Sequence, residues 1–218
     1  MFVVSSPGYL NNFDLKKIEN WVLCHNTYKD ISYKKSFEKN IEEPIKIVYW
    51  GAVRQVEYNK KICKLFGNDD RFDFIFHGDG AYEELRLFCE KRKIKNITFT
   101  GKYFLNQINE FAHRTDILFN AYETDYVTTP SLAVKVYDSL VYQLPLIVSK
   151  NTFMESYLKE NEHVFTFSLD DNSILDKLYE WYVHLDIEKV KKSFERLHSQ
   201  VEKDEEVFKN RLFEFLIL

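Results

Sequence analysis

The stretch TTPSLAVKVYDSLVYQLPLIVS, residues 128–149, runs a polar turn, an amphipathic segment and an apolar segment together without a break. Thr129 has the hydroxyl of a helix N-cap, and Pro130 suits the first helical position, where a missing N–H costs nothing. The spacing predicts a helix from Pro130 to about Gln143. Leu132, Val136 and Leu140 make its inward face, while Ser131, Lys135 and Asp138, at i, i+4 and i+7, fall on a polar one. LPLIVS (144–149) then reads as a strand covered on both sides, because it is apolar almost throughout. A helix followed at once by a buried strand is the closing half of a strand–helix–strand unit, which points to an α/β fold.

The same rhythm extends in both directions. IKIVYW (45–50), FDFIFH (72–77), NITFT (96–100), DILFNAY (116–122) and HVFTFS (163–168) are short β-branched or aromatic runs. Between them lie helix-like stretches such as GAYEELRLFCEKRK (80–93), LNQINEFAHR (105–114) and NSILDKLYEWYVHL (172–185). The alternation predicts a doubly wound sheet of parallel strands with crossover helices. Gly51, Gly78 and Gly101 each follow a run directly. In an open parallel sheet ligands bind outside the carboxyl ends of the strands, and a glycine there lets backbone come close to a ligand.

Outside that rhythm, VVSSPGYL (3–10) and WVLCHN (21–26) read as two short strands around a helix, joined to the rest by a charged stretch ending at Pro44. At the other end, residues 187–218 are rich in Lys and Glu with apolar residues at helical spacing, and they finish in FLIL. An exposed apolar terminus is expected to dock on something.

Composition narrows the classes. Of 218 residues, 45% are hydrophobic and 17% aromatic, enough apolar surface to rule out a disordered chain. Thirty Lys and Arg against 34 Asp and Glu give a net charge of −4, so no nucleic-acid footprint is expected. Cys24, Cys63 and Cys89 are far apart and odd in number, which suggests reduced thiols and a cytoplasmic setting, with peripheral attachment at the inner face of a membrane left open. No run approaches a membrane span. HExxH, paired Cys/His ligand spacing and GxSxG are all missing, so neither a metal hydrolase nor an α/β-hydrolase is supported, and no metal is expected.

Which residues carry chemistry is less narrowly set. Thr129, Ser131 and Lys135 around a helix start describe a phosphate site. Asp138, two turns deeper, suits ribose hydroxyls; the plainer alternative is an exposed Lys135–Asp138 pair worth about 0.2–0.5 kcal/mol. Arg54, three residues past Gly51, is either an ordinary helix-start arginine or a bidentate partner for a diphosphate. HGDG (77–80) lacks both phosphate-loop patterns. Lys102 and Tyr103 follow the third strand, where Tyr103 serves as a rim aromatic or stacks on a base. Each of the six histidines stands alone, and His77, at a strand end, is the one closest to a potential site.

Taken in order, Gly51 and Arg54, HGDG, TFTG, DILFNAY and PSLAVKVYDSLVYQLPLIVS resemble the C-terminal donor-binding domain of bacterial GT-B glycosyltransferases, above all those of capsule, O-antigen and other surface polysaccharides. In that family a Lys, an acidic residue three positions later and a Gly-x-Pro precede the last apolar strand; Lys135, Asp138 and Pro145 take the places of the Lys, the acidic residue and the Pro, and the glycine is missing. The resemblance spans residues 45–185. It implies a Rossmann-like domain at 44–186, an acceptor-domain remnant with a linker at 1–43 and a helical extension at 187–218.

It further implies a UDP- or GDP-linked sugar as donor, with no cofactor and no metal, and a glycan or lipid-linked saccharide as acceptor. Arg54 and Thr129 to Leu132 would hold the diphosphate, with Gly51 and Gly78 giving close approach, Asp138 the ribose, and Gly101 to Tyr103 the base. Glu123, after the fourth run, would touch the sugar; the acidic pair seven residues apart of many relatives is missing, since position 130 is Pro. The short chain is then expected to bind nucleotide-sugar and to be incomplete for transfer alone. The alternative from another class is a non-catalytic subunit of the same fold, pairing with a separate acceptor-domain chain through an N-terminal hairpin and the FLIL end.

Overall fold

The protein is described by a computed structural model covering residues 1–12, 20–27, 32–40 and 44–217. Three short elements come first: β1 (Phe2–Val4), α1 (Gly8–Asn12) and β2 (Trp21–Leu23). The expected rhythm follows as β3 (Ile45–Trp50), α2 (Val56–Phe66), β4 (Phe72–His77), α3 (Tyr82–Lys91) and β5 (Ile97–Gly101). A single 3-10 turn leads into α4 (Ile108–His113), then β6 (Ile117–Asn120), α5 (Lys135–Tyr142), β7 (Leu146–Ser149), α6 (Phe153–Leu158) and β8 (Val164–Phe167). Two helices finish the described chain, α7 (Ile174–Val183) and α8 (Ile187–Ile217).

Six strands form one parallel sheet in the order β5-β4-β3-β6-β7-β8. From β3 the chain steps outward to one edge and from β6 to the other, which is the doubly wound, Rossmann-like arrangement. The central strands are apolar because helices cover both faces: β6 and β7 are buried at every residue. An aromatic cluster fills one layer, with Phe74 at 4.6 Å from Phe76, 5.0 Å from Phe119 and 5.2 Å from Phe66.

Three expectations need correcting. The helix after Thr128 starts at Lys135 and not at Pro130. The reason lies in the carbonyls a first turn would need: that of Thr129 accepts the Phe153 N–H at 2.8 Å, and that of Pro130 accepts the Ser6 hydroxyl at 2.6 Å. With both committed elsewhere, the helix is delayed until Ala133 and Val134 supply free acceptors to Val136 and Tyr137. Secondly, SSPGYL is not a strand, since Gly8–Asn12 is helical. Thirdly, β1 and β2 pair in parallel, Phe2 opposite Trp21 and Val4 opposite Leu23, so they form no hairpin.

The described part of the charged stretch before Pro44 is bound to the sheet domain. Phe37 is buried against Phe194, and its N–H donates to Gln143 Oε1 at 2.8 Å. Lys39 donates to the carbonyls of Val183 and Leu185 at the end of α7, and Lys35 to those of Ala112 and Thr115 at the end of α4. A lysine on a helix's last carbonyls satisfies acceptors the helix cannot. In α8, Val190, Phe194, Leu197 and Val201 are buried at helical spacing, whereas Phe213, Phe215, Leu216 and Ile217 are exposed. No described helix is long and apolar enough to cross a membrane.

His163 is fully buried, with Nδ1 2.6 Å from the Ser193 hydroxyl and its ring stacked on Phe194. Burial pushes its pKa down to about 3. Below the usual histidine pKa of about 6.5 the unfolded chain takes up a proton that the native one refuses, so stability falls as pH drops from about 6.5 toward 3. His163→Gln is expected to make urea-unfolding free energies less steep between about pH 6 and 4.5; an unchanged slope would mean this histidine contributes nothing to the acid limb.

Candidate functional site

β3 and β6 pair only through Ile47–Ile117 and Val48–Leu118. Beyond that the chain leaves β3 toward one edge and β6 toward the other, so their carboxyl ends part, and it is at such a reversal of strand order that open α/β sheets bind ligands. A cavity of about 550 Å³ lies there, walled by Tyr49, Ala52, Arg54 and Gln55 from the β3 side and by Tyr122, Asp125 and Thr128 from the β6 side.

Two cations serve this region. Lys135, the first residue of α5, reaches back so that its Nζ donates to the Tyr122 hydroxyl at 2.9 Å and lies 4.5 Å above the Tyr49 ring. Arg54 follows β3 and lines the cavity. Among the described residues neither cation makes an ion pair, and the described bonds of Lys135 are to neutral groups. The tyrosines stay protonated: burial pushes Tyr49 up to about 12 against the pull of Lys135, and it also pushes Tyr122 up. The Tyr49 hydroxyl lies within the electrostatic reach of Lys135, Tyr122, Tyr103 and Arg54 together. The Tyr49 hydroxyl donates to the Ala52 carbonyl at 2.7 Å, which leaves the Tyr122 hydroxyl as the phenol donor beside the two cations, and Asp125 is the carboxylate in the same wall. Two cations with a phenol donor suit an anion carrying several oxygens.

Gly51 permits the approach of Lys135. It has φ +136°, and a Cβ there would stand 3.2 Å from the lysine Nζ and 3.4 Å from the Tyr49 hydroxyl. Gly78 sits behind it, where a Cβ would fall 1.8 Å from the Gly51 carbonyl oxygen. These two expected glycines therefore shape the site by being small.

The remaining expected residues are placed as follows. Thr129, Ser131 and Leu132 precede α5 rather than beginning it; the N–H of Thr129 bonds the Asp125 carbonyl and that of Ser131 the Thr128 carbonyl, so these two amides are committed and the helix start lies at Val134–Lys135. Leu132 is buried. Asp138 is only 2% exposed, and its Oδ2 accepts the Trp50 indole N–H at 2.7 Å. It faces into the protein under the end of β3 and not outward on a polar helix face. Tyr103 is half-buried with its ring edge-on to Phe111, while Lys102 is exposed outside the cavity wall. Glu123 is exposed beside the cavity. His77 stacks on Phe111 at 3.7 Å and bonds Thr100; burial pushes its pKa down to about 4.

Tyr49, Gln55, Asn59, Tyr122, Asp125 and Thr128 line the cavity without having been anticipated. Asp125 had a legible signal, an Asx-turn spacing to Thr128: its Oδ1 accepts the N–H groups of Val127 at 2.8 Å and Thr128 at 2.6 Å, which holds its pKa below the usual carboxylate range. The tyrosines had none, because an aromatic closing a buried strand looks like core. For the Trp50–Asp138 bond, Trp50→Phe deletes the donor to a buried carboxylate; a loss of about 1–3 kcal/mol in urea unfolding is expected, and a loss under about 0.5 kcal/mol would count against the bond.

No protein-family model matches this chain, and no curated protein matches it in sequence. Solved structures do match in shape. The apo form of the lipopolysaccharide outer core galactosyltransferase WaaB is 13% identical with a TM-score of 0.69, covering 97% of this chain and 61% of that one. AviGT4, a glycosyltransferase of avilamycin A biosynthesis, is 12% identical with a TM-score of 0.69, covering 96% and 61%. Anabaena HepE in complex with UDP-glucose is 11% identical with a TM-score of 0.69, covering 97% and 63%. The chain shares the fold of GT-B glycosyltransferases, and it spans about three fifths of the length of these solved structures.

Proposed function

We propose that the chain is the nucleotide-sugar-binding part of a GT-B glycosyltransferase. The observation that carries this is two cations that make no ion pair among the described residues where the strand order reverses: Arg54 in the cavity wall and Lys135 behind it, bonded to the wall residue Tyr122. In this reading the donor's diphosphate lies near them and takes a further donor from the Tyr122 hydroxyl, whose oxygen accepts from Lys135; the Tyr49 hydroxyl is committed to the Ala52 carbonyl. The base lies toward Tyr103, which is half-buried and presents a ring edge-on to Phe111. Asp138 acts on the ribose only through the wall it builds with Trp50. Glu123, on the rim, is the residue facing the sugar. The shared fold with a UDP-glucose-bound structure supports a nucleotide-sugar as donor; the proposal takes it to be uridine- or guanosine-linked.

Chemically, these residues bind and orient. Positive charge at the diphosphate offsets the charge that develops on the leaving group as the glycosidic bond breaks. The acceptor, a glycan or lipid-linked saccharide of a surface polysaccharide, would be held by a further domain placed N-terminal to this one, and the chain alone would bind donor without turning it over. Titration calorimetry with UDP, GDP and UDP-glucose tests this reading; no heat and no thermal shift with any of them would remove it.

The second reading, a non-catalytic subunit that pairs with an acceptor-domain chain, is favoured by the exposed Phe2, Val3 and Trp21 on the two-stranded β1–β2 sheet. Two strands are fewer than an independent sheet needs. A chain that stays monomeric in size-exclusion chromatography and binds nucleotide would decide for the first reading.

A further inference from the structure

Where β3 and β6 stop pairing at Val48–Leu118, one side chain bridges the gap between the loops that follow. Gln55 Oε1 accepts the Glu123 N–H at 3.0 Å, and Gln55 Nε2 donates to the Glu123 carbonyl at 3.1 Å. Both main-chain groups of one residue are thus paired, as a neighbouring strand would pair them. The same amide lies close enough to the Asp125 carboxylate to help hold its pKa below the usual range. The glutamine accepts an unusual backbone to do this: φ 51° and ψ 59° place it in the left-handed region, which a residue with a Cβ keeps only where its surroundings over-determine it. Its chain neighbour is Arg54, whose carbonyl accepts the Asn59 side-chain amide one helical turn on. Arg54 is therefore held from both sides, by Asn59 on α2 and by a side-chain strap across the cavity mouth.

We infer that Gln55 is a positioning residue for the anion site: by strapping the β3–α2 loop to the β6–α5 loop it sets the cavity's width and aims Arg54 into it. This rests on the reading of the cavity as a diphosphate site. Gln55 itself touches no phosphate; it acts through Arg54. The strap also explains why the residue is not glycine at a left-handed position, since glycine would relax the backbone and lose both bonds to Glu123.

Titration calorimetry with UDP on the full chain gives the test, through a double-mutant cycle. Arg54→Ala is expected to weaken UDP binding about tenfold or more, and Gln55→Ala about fivefold, with the combined variant hardly weaker than Arg54→Ala alone, because groups acting as one unit are not additive. Gln55→Gly, which relieves the backbone, and Gln55→Glu, which keeps an acceptor but sets a carboxylate beside Asp125, are each expected to bind as weakly as Gln55→Ala. Losses that multiply in the double variant would show that Gln55 does not act through Arg54 and overturn the inference. Wild-type affinity in Gln55→Gly would overturn it as well, and that variant keeps the test available if Gln55→Ala folds poorly. If the wild type binds neither UDP nor GDP, the diphosphate reading itself fails and the strap's purpose with it, a result distinct from a wild type that binds and is indifferent to Gln55.

Discussion

Lys135→Met is expected to weaken UDP binding by about 10- to 100-fold while leaving the fold intact. A hydrogen bond from a charged donor contributes about 1.5–3 kcal/mol, and each 1.4 kcal/mol is about a tenfold change in affinity. Methionine preserves the aliphatic stem against Tyr49 and Tyr122, so the loss isolates the ammonium. The sign of a second effect follows from the same structure. Among the described residues the ammonium has no carboxylate partner and sits among phenols, so removing it relieves an unneutralised charge, and the melting temperature is expected to hold or rise slightly. Arg54→Ala is expected to lose binding to a comparable degree and to flatten its salt dependence, since one phosphate-facing charge disappears. Unchanged UDP affinity in both variants would show that the cavity holds no diphosphate.

Gly78→Ala is expected to cost about 3 kcal/mol or more of stability, a drop in melting temperature of about 6–12 °C for a chain of this size. The methyl would lie 1.8 Å from the Gly51 carbonyl oxygen and 2.9 Å from its carbonyl carbon, both backbone atoms that cannot swing aside as a side chain tip does. β3 and β4 pair along six consecutive positions up to Trp50–His77, so the strain cannot be released by a local shift of one strand end. Whatever the protein concedes must come from Gly51, and Gly51 sets the approach of Lys135 and leads into Arg54. Binding should therefore be damaged along with stability. A Gly78→Ala protein melting like the wild type would mean that the strand ends part freely, contrary to the ladder observed.

Much of this architecture could be read from the chain. β3 and β4 lie at the expected residues, 45–50 and 72–77, and the other four central strands differ by a few residues at their ends. Their legibility has a physical origin: a strand covered on both faces has no choice but to be apolar and β-branched or aromatic, and glycine must follow where backbones crowd. The start of α5 was not legible, because Thr129 and Pro130 are excellent helix-starting residues locally and are overruled by Ser6 and Phe153, distant in sequence. Asp138 was misplaced for a different reason: Val136 and Leu140 face inward as expected, but α5 is covered on every side from Val136 to Tyr142, and nothing in the local pattern reveals that Trp50 claims the Asp138 carboxylate. Of the site, the cations and glycines were recognisable by type and spacing. The tyrosines, Gln55 and Asn59 were not, since their part depends on where two separate loops meet.

The grip of Ser6 on the Pro130 carbonyl, reinforced by Gly8, whose Cβ would strike that same oxygen at 2.3 Å, ties the first residues of the chain to the loop that walls the cavity. A change at Ser6, remote in sequence, therefore bears directly on the loop from outside the sheet. Were the proposed nucleotide to shift this loop on binding, the shift would be felt at Ser6, and the coupling would run equally in both directions.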